Sequence, residues 1–223
     1  MKRNAEWVSI ADMMAGLMMV FLFIAVVFMQ QIREKEGTAT AIVGDYKATS
    51  SQLNAALHEE FDKDLAKWGA EITHNNIVRF NEPSTLFDGG KWEIKNRFEV
   101  ILQDFYPRYL NILTSEQFVN DITELRIEGH TSSRMAKPTP LELKYMYNAN
   151  LSQKRAFSVL DFVFNLESVS DHREWMVGVL RANGLSFAKT IINPTTNKED
   201  FAKSRRVEFS VATNMEEKLL EAL

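Results

Sequence analysis

Two groups of residues in this chain have types and spacings that could do chemistry. The first centres on Asp12. It stands in the run Val8-Ser9-Ile10-Ala11-Asp12-Met13-Met14-Ala15-Gly16, which continues apolar to Met29. At the helical rise, residues 8–29 are long enough to cross a hydrocarbon core of about 30 Å. Asp12 is the one ionisable group in that run. A carboxylate facing lipid costs at least about 2.5–3.5 kcal/mol, so Asp12 needs a protein or water-lined niche, or must be protonated. Ser9 and Gly16, at i−3 and i+4, share its helix face and would support an ion path. Ala11 and Ala15 give a small-xxx-small spacing that admits a close neighbouring helix. Trp7 sits at interface depth. A carboxyl that loads and releases a cation is one reading. A plain anchor whose Asp12 is wet among headgroups is the other.

The second group is Tyr147-Asn148-Ala149-Asn150-Leu151-Ser152-Gln153-Lys154-Arg155. Asn148, Leu151 and Arg155 fall at i, i+3 and i+7, on one face of a helix that is expected to begin here. A helix N-terminus offers free amide donors, and an arginine fork grips a carboxylate through two bonds. The set suits a small carboxylate ligand. The competing reading has Arg155 paired to an acidic neighbour and Tyr147 in the core.

Bulk properties limit the choice. Lys+Arg 26 against Asp+Glu 30 in 223 residues gives a net charge of −4, so no direct nucleic-acid binding is expected. There is no cysteine, which removes disulfide and thiolate chemistry. Four scattered histidines carry no zinc-ligand spacing. The apolar stretch is too long for a signal peptide and no A-x-A-like site succeeds it, so it reads as an uncleaved anchor. Lys2 and Arg3 on one side balance Arg33 and Lys35 on the other, so charge does not orient it.

Beyond the span, a helical projection is expected to break near Gly37 or Gly44. Leu53, Leu57, Phe61, Leu65 and Trp68 then form the apolar stripe of an amphipathic helix that is expected to pack on the following domain or on its copy in a second chain. Ile72 to Phe80 reads as a strand with a hairpin or bulge at the Asn75-Asn76 pair. The next helix has Ile94, Phe98, Ile101, Leu102 and Phe105 on one face and is ended or kinked by Pro107. Leu125–Glu128 reads as a strand. Leu151–Phe164 and Asp171–Ala182 read as helices, the second stopped by Asn183-Gly184. Leu185–Ile191 and Arg206–Val211 read as strands, with a turn-rich loop at residues 193–197. The tail from Met215 reads as a short helix. Alternating strands and helices predict an α/β fold, an α+β sandwich.

Trp7-Val8-Ser9-Ile10-Ala11-Asp12-Met13-Met14 resembles the transmembrane signature of MotB-type stator subunits. That resemblance implies that Asp12 carries H+ or Na+. Ile127-Glu128-Gly129-His130-Thr131, Tyr147 to Ala156, and Arg205-Arg206-Val207-Glu208-Phe209 resemble, in order, the OmpA-like peptidoglycan-binding domain. The resemblance implies a βαβαβ domain with a mixed sheet, and peptidoglycan contacts by His130, Thr131, Tyr147, Asn148, Leu151 and Arg155. Arg205 and Arg206 read as mainly structural. One departure stands out: Ser132 replaces the usual Asp after Gly-His-Thr, and Glu142 is a candidate substitute.

The short connection between span and domain is most similar to the ZorB family of Zorya anti-phage defence systems. By that resemblance the chain is no enzyme and needs no cofactor. It forms a self-dimer within a five-copy ZorA-type partner in the inner membrane, N-terminus cytoplasmic. The implied organisation is residues 1–7 cytoplasmic, 8–29 transmembrane, 30–69 periplasmic linker and amphipathic helix, 70–212 OmpA-like domain and 213–223 tail. A flagellar MotB-like subunit and a passive wall tether remain the alternatives.

Overall fold

The computed structural model describes residues 2–81, 86–135 and 137–214, with side chains from Met13 onward. The expected C-terminal helix from Met215 lies outside them. The chain divides into two units: the N-terminal part of the first helix to Tyr46, and Lys47–Asn214.

Helix α1 runs Lys2–Trp68. It does not break at Gly37 or Gly44. A glycine inside a helix costs about 1 kcal/mol relative to alanine, which a long helix tolerates. The hydroxyls of Thr38 and Thr40 also turn back onto the carbonyls of Glu34 and Glu36 rather than competing for new turns. The helix ends where Gly69 adopts φ +62°, the left-handed conformation that closes a helix.

In the second unit the amphipathic stripe is buried as its spacing predicts. Leu53, Leu57, Phe61 and Trp68 belong to the core, with Leu65 packed against it. Strands β1 (Ala70–Ile72) and β2 (Val78–Phe80) form an antiparallel hairpin. Asn76 turns it at φ 60° and donates from Nδ2 to the Ser50 carbonyl, tying the turn to α1. Helix α2 (Asn96–Leu113) buries Phe98, Ile101, Leu102, Phe105, Tyr106, Tyr109, Leu110 and Leu113. It continues through Pro107 instead of ending there. The carbonyl that proline leaves unpaired belongs to Gln103, a residue on the exposed face of the helix. Arg108 clamps α2 to α1, donating to Glu60 at 2.6 Å and Asp64 at 3.1 Å while stacking 4.9 Å over Phe61.

Strand β3 is Ile122–Gly129 and helix α3 is Leu141–Phe164. A 3-10 turn, Glu167–His172, leads into the short helix α4 (Arg173–Val179) and then β4 (Leu180–Gly184). The hairpin β5 (Ile192–Asn193) and β6 (Lys198–Glu199), the helical turn α5 (Phe201–Ser204) and β7 (Val207–Thr213) complete the fold. The sheet order is β1-β2-β7-β3-β4, with β3 and β4 parallel and the other pairs antiparallel. The mixed sheet and α/β class agree with the sequence reading. One sheet face, with Val78, Phe80, Ile127, Val207 and Phe209, is buried in the core. Phe105 lies 5.1 Å from Phe209 and 5.2 Å from Phe80.

Two expectations shift. Residues 180–184 are strand, not the end of a helix, and residues 185–191 are not. The cause is packing. Gly129 and Gly184 are register partners at the ends of β3 and β4. A Cβ on Gly129 would lie 2.3 Å from the Ser152 carbonyl oxygen, and one on Gly184 2.3 Å from the Gln153 backbone nitrogen. The glycine pair lets the backbone of α3 touch the sheet edge. Gly184→Ala or Gly129→Ala must push α3 away. Overpacking of this kind costs about 1–3 kcal/mol, so either variant is expected to melt below wild type in a thermal scan of the purified chain.

Candidate functional site

An open groove of about 990 Å³ lies between α3, the loop after β3, and the loop preceding α2. Tyr147, Asn148, Leu151 and Arg155 line one wall. Thr131, Ser132, Arg134 and Met135 form a second, Phe87 to Gly90 a third, and Ala202 and Arg205 close the end. The sequence spacing therefore brings its α3 residues to one site, with Thr131 beside them. The helix, however, starts ten residues before Leu151, at Leu141 after Pro140. Asn148 and Arg155 thus project from helix interior turns. The free amides of the α3 N-terminus therefore do not lie at these residues, and the α5 amides of Ala202 and Lys203 are already taken by Asp200, so anion attraction falls to side chains.

Arg155 dominates that attraction. It is buried, and its Nε and Nη2 donate to the carbonyls of Lys91 (2.8 Å) and Asp88 (3.1 Å). Its guanidinium lies 4.9 Å over the Phe87 ring. Among the described residues it has no carboxylate partner. Burial pushes it down to about 10, with Tyr147 opposing and Arg205 adding to the fall. It stays charged at neutral pH, in a place that disfavours charge. Tyr147 is half exposed, not a core residue. Asn148 is fixed by Nδ2 donating to the Lys144 carbonyl at 2.9 Å. Thr131 has a buried Oγ1 without a hydrogen-bond partner at the groove wall. Arg205, read from sequence as structural, lines the groove instead. Arg134 and the 87–90 loop carry no signal in the sequence, since each comes from an irregular segment where spacing says nothing. Glu142 is exposed in the first turn of α3 and does not line the groove.

His130 is not in the groove. Its ring is fully buried on the polar face of the sheet, with Nε2 3.3 Å from Glu208 Oε2 and 3.5 Å from Glu128 Oε2, without hydrogen-bond alignment. Glu208 Oε1 accepts from Arg79 Nε and Arg206 Nε, each at 2.6 Å. The donor atoms of Glu128, His130 and Glu208 lie within 4.8 Å of one another, close enough for a metal ion. Two arginines on Glu208 and Lys189 Nζ 4.0 Å from Glu128 already neutralise them, so the cluster is an ion-pair network. Burial would raise Glu208, but His130 and Arg206 outweigh it and hold it far below the usual carboxylate range.

In the N-terminal unit, the described helix from Met13 is long and apolar enough to span a membrane, with mean hydropathy 2.3 in its best window. Its large apolar side chains, such as Leu17, Phe21 and Ile24, are exposed. The side chains of Ser9 and Asp12 lie outside the described residues. Nothing lies within 4 Å of a Cβ built on Gly16, which leaves that stretch open to a close neighbour.

No protein-family model matches the chain. It is 42% identical over 214 residues to the Zorya protein ZorB of Escherichia coli strain ATCC 8739, covering 96% of this chain and 90% of that protein. The Zorya protein ZorB of Escherichia coli O139:H28 is 26% identical, over 91% of this chain and 78% of that protein. Among solved structures, the cell wall anchor of the T6SS from Pseudomonas aeruginosa aligns at 20% identity with a TM-score of 0.47, covering 70% of this chain and 96% of that one.

The ion-pair network generates a stability prediction. Glu208→Gln leaves Arg79 and Arg206 without their shared carboxylate, and breaking a buried pair costs about 3–5 kcal/mol. Because the folded carboxyl is depressed, its contribution is present above its ordinary value of 4.5 and is lost as pH falls toward the folded value. Denaturant titrations should show the full gap between wild type and Glu208→Gln at pH 7, narrowing below about pH 4.5.

Proposed function

We propose that this chain, which belongs to the ZorB family, is the ion-driven, wall-anchored stator subunit of an anti-phage defence complex. One observation carries the reading. The same chain holds a lone carboxyl in an apolar span and, in an open groove, a buried arginine without a carboxylate partner among the described residues. The span crosses the inner membrane with its N-terminus in the cytoplasm, and the groove works in the periplasm. Asp12 is alternately protonated and ionised, with Ser9 and Gly16 on its face. The driving force suffices, since one charge crossing 100 mV releases about 2.3 kcal/mol. One helix cannot shelter Asp12 on all sides. Two copies therefore sit within a ring of five ZorA-type chains that complete the path. In the groove, Arg155 takes a carboxylate of a peptidoglycan stem peptide, with Tyr147, Asn148, Leu151 and Thr131 around it. This fixes the stator against the wall while the surrounding ring moves.

Two substitutions separate the halves of this reading. Arg155→Ala should abolish capture of the chain by purified sacculi while it remains folded, because losing one partner of a buried charged contact costs roughly 2–5 kcal/mol of binding. Capture equal to wild type would put the wall site elsewhere. Asp12→Asn keeps size and polarity but cannot titrate. It should assemble with the ZorA-type partner and give no protection in a phage plaque assay, while Asp12→Glu retains part of it. Full protection by Asp12→Asn would reduce the chain to a passive tether.

A further inference from the structure

The charges lining the groove are one-sided. Among the described residues the walls carry three guanidiniums, on Arg134, Arg155 and Arg205, and a single carboxyl, on Asp88. That carboxyl is turned toward lysines outside the groove. Its Oδ1 is 3.3 Å from Lys95 Nζ and its Oδ2 3.8 Å from Lys91 Nζ, and neither lysine lines the groove. What Asp88 offers inward is its carbonyl, which Arg155 Nη2 already occupies. The wall position between Thr131 and Ser133 is a neutral hydroxyl, Ser132, itself buried. Beside that wall, Glu199 is engaged by the backbone N–H and hydroxyl of Ser133.

A bound carboxylate finds cations on several sides. An ammonium on the same ligand finds like charge, and the one described carboxyl of the walls, Asp88, is already paired with Lys91 and Lys95, so the ammonium gains little on entering. Acylating that amine removes its positive charge and the repulsion with it. In a wall, the side-chain amine of a diamino acid is free in an uncross-linked stem peptide and acylated in a cross-link.

We propose that the groove reads the carboxylate of the wall's diamino acid without reading its amine, so that cross-linked stem peptides bind as readily as free ones. This rests on the wall-anchoring reading above. It suits a stator, because cross-links are the mechanically loaded points of the wall.

The test uses the full chain in detergent and two synthetic tripeptides, L-Ala-γ-D-Glu-meso-diaminopimelate with the side-chain amine free and the same peptide with that amine acetylated. Each competes for binding of the chain to sacculi. The expected result is that the acetylated peptide competes within about threefold of the free one, or better. A preference for the free amine of about tenfold or more would overturn the proposal while leaving wall anchoring intact. If sacculi bind but neither peptide competes, the groove does not read this side chain and the proposal falls alone. If wild type does not bind sacculi at all, the anchoring reading fails and takes the proposal with it.

Discussion

The groove is built around the buried guanidinium of Arg155, which has no carboxylate partner among the described residues. Burying a charge is tolerated only where fixed dipoles or a counter-ion replace water. Arg155 has the dipoles in the Lys91 and Asp88 carbonyls and the face of Phe87. Those groups stay in place because residues 86–95 are folded back on themselves. Phe87 bridges Ile94, and the Lys95 N–H donates to the Leu86 carbonyl. The depth of Arg155 is set from the other side by α3, which rests its backbone on Gly129 and Gly184. A side chain at either glycine would lift the helix and with it the guanidinium. The sheet edge, the loop and the helix thus share one task, which is holding a buried cation that has no carboxylate partner among the described residues.

The sheet carries two different kinds of cohesion. Its inner face is an aromatic and aliphatic core, in which burial does the stabilising. Its outer face is the chain of ion pairs from Glu71 through Arg79, Glu208 and Arg206 to His130 and Glu128. That network lies directly beneath the strand end that becomes Thr131 and Ser132. It anchors the backbone at His130, whose N–H donates to the Arg206 carbonyl at 3.0 Å. The Gly-His-Thr segment is therefore divided in labour: histidine braces the sheet, and threonine lines the groove.

Much of this could be read in the sequence, for identifiable reasons. Asp12 stands out because nothing else in its run ionises. The stripe from Leu53 to Trp68 and the alternation of Val207 to Val211 are periodic, and periodicity reports a buried face whatever it packs on. Tyr147, Asn148, Leu151 and Arg155 share a helical face at any helix start, so the groove wall survives a misplaced N-terminus. The start itself is hidden because Leu141, Leu143 and Met146 are exposed apolar residues, which blur the amphipathic pattern. Leu180 to Gly184 has no β-branched residue and ends in Asn-Gly, so it mimics a helix stop. Only its parallel pairing with β3 makes it a strand. His130 and Arg205 exchange the places expected of them because burial beside a motif is a tertiary property. Spacing along the chain does not encode it.

If Arg155 is placed for a ligand rather than for the fold, stability measures it directly. Replacing Arg155 by methionine relieves the desolvation of a charge held by dipoles alone among the described residues and gives up its bonds to the Lys91 and Asp88 carbonyls, so the two effects oppose each other, whereas removing a structural ion-pair partner is costly. The decisive measurement is the melting temperature of purified Arg155→Met against wild type in the absence of peptidoglycan. The account predicts a value equal to wild type or higher. A fall of about 5 °C or more, which for a domain of this size exceeds roughly 1 kcal/mol, would contradict it and make Arg155 a structural residue.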